Sequence, residues 1–175
     1  MENLPAGGFV LAANHFSNFD PFPLGMPLFP DRWLRFMGKS ELFWFPLGAI
    51  IGAAGAFKVR RGQADAEAMD TAIELARAGE IVVMFPEGTR QKKGLRKTRE
   101  ARPHTGAARI SLDAGVPLVP AAVKGTDNLG RLAKLRVVYG RPIDLSDLAA
   151  AEPRDAAQTA TDRLMAEIQR LYATL

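Results

Sequence analysis

The chain has 175 residues, 47% hydrophobic and 24% charged, which suits one globular domain with a sizeable core and excludes a disordered segment. It has no cysteine, which excludes disulfides, thiolate metal sites and a cysteine nucleophile and fits a reducing compartment. The net charge of +4 is concentrated in "RQKKGLRKTREAR" (90–102), where seven basic residues face one acid, a run suited to phosphate or an anionic surface and otherwise a solvated loop.

The N-terminus "MENLPAGG" lacks the basic and apolar regions of a signal peptide. "FVLAA" (9–13) predicts a buried strand ending at Asn14. In "NHFSNFDP" (14–21), His15 and Asp20 are five residues apart, about 140° on a regular helix, so they meet only if the chain turns between them. Pro21 disfavours helical geometry at Asp20 and suits a first helical position, so a loop is expected before a helix that begins at Pro21. Two readings follow. Asp20 is a helix cap and His15 a loop residue, or the carboxylate orients the imidazole as a general base.

Leu42 to Phe57 is a strongly apolar, uncharged stretch of 16 residues, too short for a bilayer span. It predicts a buried core segment more readily than one dipping into a membrane surface. "AFKVR" (56–60) alternates like a strand. "ADAEAMDTAIELARAGE" (64–80) predicts a helix with Ala66, Met69, Ala72, Ile73 and Ala76 inward and Gly79 as its cap. "IVVMF" (81–85) is a strand stopped by Pro86. A helix over 103–114 ends at Gly115, with His104 partly exposed at its start. "PLVPAAV" (117–123) and "LRVVYG" (135–140) are further strands, and a helix over 155–173 turns Leu164, Ile168 and Leu171 inward. Strands alternating with helices make this a single α/β domain with a mostly parallel, buried sheet flanked by helices. In such sheets ligands bind beyond the carboxyl ends of strands, where "NHFSNFD" and "PEGTR" both lie.

The candidate nucleophiles narrow the chemistry. No G-x-S-x-G elbow is present, so a substrate hydroxyl activated by a His–Asp pair accounts for direct acyl transfer without an acyl-enzyme. His15, Asp20, Glu87 and His104 lack a metal-ligand spacing, so no metal is expected. In "FPEGTR" (85–90), Gly88 permits close backbone approach, Arg90 offers a fork for phosphate and Glu87 can orient it; the plain alternative is a Pro-Gly turn with a surface ion pair.

Together these residues resemble the glycerolipid acyltransferases, the 1-acylglycerol-3-phosphate acyltransferase family. "NHFSNFD", "GAFKVRR" (55–61), "FPEGTR" and "VPLVPAAVKG" (116–125) match its four blocks in order, and "MGKSELFWFPLG" (37–48) is similar to its segment between the first two. The resemblance covers about residues 9 to 145; the first and third blocks together make it specific, and Lys58 departs from the apolar residue or proline usual in the second. It implies that His15 is the general base and Asp20 its orienter. Glu87, Gly88, Thr89 and Arg90 would shape the glycerol-phosphate site, with Arg61, Arg60 in competition with it, and Lys39 as further phosphate contacts. It implies acyl-CoA or acyl carrier protein as donor, no cofactor, a lysophospholipid acceptor, an anionic membrane surface as partner and a peripheral position on the cytoplasmic face. Another lysolipid or glycolipid acceptor, or a non-catalytic lipid- or phosphate-binding module, are the alternatives. Only 13 residues precede Asn14, fewer than is usual in the family, so either the chain is a trimmed form or it docks to the membrane by other means, with "ELFWFPLG" and the run 90–102 as the candidates. A nucleic-acid partner is not expected, because the basic run lacks interleaved aromatics and no reader motif appears.

Overall fold

Short apolar runs closed by turn formers set the strands of this chain. In the computed structural model, which describes residues 4–39, 41, 43–59, 65–88, 103–127 and 134–175, the first is β1 (Phe9–Ala13), with all five residues buried. After it come α1 (Pro21–Gly25), a 3-10 turn (Met26–Leu28), β2 (Leu34–Lys39), α2 (Leu47–Ala53), β3 (Ala56–Val59) and α3 (Asp65–Arg77). Then follow β4 (Ile81–Met84), α4 (Gly106–Ala114), β5 (Leu118–Lys124), β6 (Arg136–Tyr139) and α5 (Pro153–Ala173). Among the described residues, no helix is long and apolar enough to cross a membrane.

The six strands form one sheet in the order β3-β2-β4-β1-β5-β6. All neighbours are parallel except β5 and β6, which are antiparallel. β1 is central: Leu11 pairs with Val83 of β4 on one side and Val119 of β5 on the other. Side chains alternate across the sheet. Val10, Ala12, Val82 and Leu118 pack beneath α3, α4 and α5, while Phe9, Leu11, Val83 and Val119 pack with Leu24, Leu28 and Leu34 on the opposite face. Helix ends follow the glycines: Gly79 and Gly115 both take positive φ just past α3 and α4, a conformation that costs glycine little. Pro120 sits inside β5 because its carbonyl still accepts the Gly140 N–H, and β5–β6 pairing begins only at Ala121.

One strand was not expected and two expectations are corrected. β2 is an interior strand that the sequence hides, because Arg35, Gly38 and Lys39 break its apolar pattern. Much of the stretch 43–57 is exposed rather than buried: Trp44 is 59%, Phe45 88% and Ile50 63% exposed, since α2 packs on β3 at the outer edge of the sheet and leaves its far side open. On α3, Ala72 and Ala76 are buried and Met69 and Ile73 pack against the core as expected, but Ala66 is exposed and Ala68 is buried in its stead.

Candidate active site

The carboxyl ends of β1 and β4 lie side by side, and the loops leaving them carry the two motifs. Asn14 continues the β1–β5 ladder past the strand end: its side-chain amide donates to the Val123 carbonyl at 2.8 Å and its oxygen accepts the Val123 N–H at 2.9 Å. With Asn14 fixed, the chain turns so that His15 Nδ1 meets Asp20 Oδ2 at 2.7 Å. The same oxygen accepts the N–H of Phe16 at 2.7 Å and of Ser17 at 2.9 Å. Asp20 is fully buried and the His15 side chain is 17% exposed.

This geometry shows which way the Asp20 carboxylate points. The residue occupies the position before α1, yet its carboxylate makes no capping bond to that helix. It points backwards, to the turn at Phe16 and Ser17 and to His15. Burial alone pushes its carboxyl pKa up. Hydrogen bonds from His15 and from the Ser17 and Phe16 N–H groups, with the nearby Thr126 side chain adding to them, outweigh burial, and the net pKa lies below the ordinary value. An ionised carboxylate on Nδ1 assigns the proton to that nitrogen and leaves Nε2 with its lone pair available as a base.

The imidazole is held on its face as well. Phe85, the first residue after β4, stacks on it with ring centroids 4.2 Å apart and 19° between planes. Pro86 is buried, and the Gly88 N–H closes a turn onto the Phe85 carbonyl at 3.0 Å. Gly88 has φ +66°, and a Cβ on it would collide with the imidazole of His104. The His104 N–H bonds the Pro86 carbonyl at 2.7 Å, so the start of α4 braces the Glu87-Gly88 turn. His104 is exposed, as expected, but it lies against the third motif block, which its sequence position did not reveal.

Of the other candidates, Lys39 ends β2 and pairs with Val59 in the backbone, which puts it at the same sheet edge as His15. Arg60, Arg61, Thr89 and Arg90 lie outside the described residues. Lys39 is on β2, two strands from β1. Residues the sequence did not single out are Asn14, Phe85 and Thr126. The signal for Asn14 was available: a polar amide directly after five apolar residues.

Residues 1–124 match the Acyltransferase family model. The chain belongs to the acyltransferase family. It is 33% identical over 177 residues to a 1-acyl-sn-glycerol-3-phosphate acyltransferase of Bacillus subtilis, a match covering 97% of this chain and 84% of the relative. An Escherichia coli protein of the same name is 29% identical over 161 residues, 86% of this chain and 63% of the relative. A chloroplastic one from Brassica napus is 30% identical over 170 residues, 89% of this chain and 47% of the relative. The six-stranded, mostly parallel sheet flanked by helices is consistent with an acyltransferase fold, and this chain is an acyltransferase.

Proposed function

We propose that this acyltransferase moves a fatty acyl group from acyl-CoA or acyl carrier protein to the free hydroxyl of 1-acylglycerol-3-phosphate, giving phosphatidic acid for phospholipid biosynthesis. The observation that carries the reading is the His15 Nδ1–Asp20 Oδ2 contact of 2.7 Å on a carboxylate also held by two backbone N–H groups. His15 Nε2 takes the proton of the acceptor hydroxyl as its oxygen forms a bond to the thioester carbonyl carbon. The tetrahedral intermediate collapses by breaking the carbon–sulfur bond, and the imidazolium returns its proton to the departing thiolate. No acyl-enzyme and no cofactor are needed. Glu87, Gly88, Thr89 and Arg90 receive the glycerol-phosphate. Arg90 contacts the phosphate, with Arg61, or Arg60 in competition with it, and Lys39 as further contacts.

The names of the relatives support the acceptor. The test is release of free CoA with lysophosphatidic acid as acceptor: His15→Ala lowers kcat by about 10²–10⁴-fold with the protein still folded. Near-normal turnover would remove the base assignment, and lipid binding without thioester consumption by the unsubstituted chain would favour a non-catalytic module. Monoacylglycerol or glycolipid acceptors used better than lysophosphatidic acid would change the acceptor.

Its partner surface is an anionic bilayer, contacted peripherally from the cytoplasmic side. Support comes from aromatic residues left in water, Trp44 and Phe45 within "ELFWFPLG", and from the net charge of +4. Phe19, Phe22, Met26, Phe29 and Trp33, exposed on and around α1, extend the apolar surface beside the His–Asp loop.

A further inference from the structure

Asp20 uses its two carboxylate oxygens unequally. Oδ2 accepts three hydrogen bonds, while Oδ1 is buried and has no partner of ordinary geometry among the described residues. A second buried orphan is the hydroxyl of Thr126, a residue only 3% exposed. Thr126 is the second residue after β5, the strand that Asn14 ties to β1. Gly125 before it takes φ +97°, turning the chain where a Cβ would collide with the Lys134 carbonyl. Thr126 is among the groups that hold the Asp20 pKa down, so its side chain lies within reach of that carboxylate, and its hydroxyl and Asp20 Oδ1 are both buried without a partner. A carboxylate only accepts, and a threonine hydroxyl carries the one donor missing here. Leaving either buried and unpaired costs more than a typical bond returns, so the two complete each other through a rotation of the Thr126 side chain among its staggered positions.

We infer that Thr126 is a positioning residue of the active site, its hydroxyl donating to Asp20 Oδ1 and so holding the carboxylate in line with His15. The inference rests on the proposed role of the His15–Asp20 pair. The carboxylate would otherwise pivot about Oδ2, and the imidazole would follow it off the line to the acceptor hydroxyl. With both oxygens held, His15 Nε2 keeps one direction through the proton transfer.

The test compares Thr126→Val, Thr126→Ser, Asp20→Asn and the Thr126→Val/Asp20→Asn double variant, each checked for folding by circular dichroism, beside His15→Ala. Thr126→Val, which keeps the shape and removes the hydroxyl, lowers kcat roughly two- to tenfold with the KM of both substrates unchanged. Thr126→Ser restores kcat. In the Asp20→Asn background, Thr126→Val adds no further loss. An unchanged kcat in Thr126→Val, or losses that multiply in the double variant, overturns the inference. If Thr126→Val does not fold, Thr126→Ala set against Thr126→Ser carries the same comparison. A fully active His15→Ala variant defeats the reading beneath it instead, so the two failures are distinct.

Discussion

At the scale of single residues, the site depends on groups whose places are over-determined. His15 is held by a carboxylate at one nitrogen and an aromatic ring on its face, and Asp20 is held by two backbone N–H groups. Gly88 is the tightest position in the second loop. An alanine there would carry a Cβ at φ +66°, a cost of about 1–2 kcal/mol from the backbone alone, and would press on His104. Gly88→Ala therefore lowers the melting temperature and weakens acceptor use. Adding His104→Ala removes the collision and recovers only part of the stability, because the backbone strain stays; thermal melts of the three variants measure this. The pairing of His15 with Asp20 was legible in the sequence from the five-residue spacing and Pro21. The direction of the Asp20 carboxylate was not: a helix cap and a histidine partner demand the same residue type, and only the turn at Phe16 and Ser17 chooses between them.

At the scale of elements, α1 is the piece that carries Asp20, and it is short. It is pinned from across the sheet, where the Tyr139 hydroxyl of β6 donates to the Leu24 carbonyl at 2.6 Å. Burial pushes the Tyr139 pKa up to about 12. Its folded pKa thus exceeds the unfolded value near 10, so its share of stability is full below pH 10 and is lost as pH rises towards 12. Denaturant titrations should show stability falling over pH 10–12, and Tyr139→Phe should flatten that fall while costing about 1 kcal/mol at neutral pH. The stretch 42–57 carries the other prediction at this scale. Trp44 and Phe45 contribute little to the core, so Trp44→Ser with Phe45→Ser leaves the melting temperature near its starting value. On anionic vesicles the same pair should lower partitioning at least tenfold, since each buried aromatic contributes about 1.5–3 kcal/mol; equal sedimentation with vesicles would remove this contact. The sequence marked the stretch as uncharged but not as exposed, because apolar composition alone does not say whether a neighbour is there to cover it.

At the scale of the whole molecule, the strand order β3-β2-β4-β1-β5-β6 makes the site. It sets β1 beside β4, so the His–Asp loop and the "PEG" turn share one edge, and it sets β5 on the other side, so Asn14 and Thr126 reach the same loop. Local patterns were enough to determine most elements: β1, β4, β5, α4 and α5 lie close to where their apolar spacing and flanking Pro or Gly put them. They were enough, too, to bring out the residues of the proposed site, because a histidine, its carboxylate and a glycine turn are defined over a few residues. The hidden interior strand β2, the exposed face of α2, the support of Asn14 on Val123 across 109 residues and the burial of Thr126 just past β5 were decided only by tertiary structure. The physical reason is common to all four. Burial and hydrogen-bond partnership are relations between segments far apart in the chain, and no periodicity within one segment records which other segment will cover it.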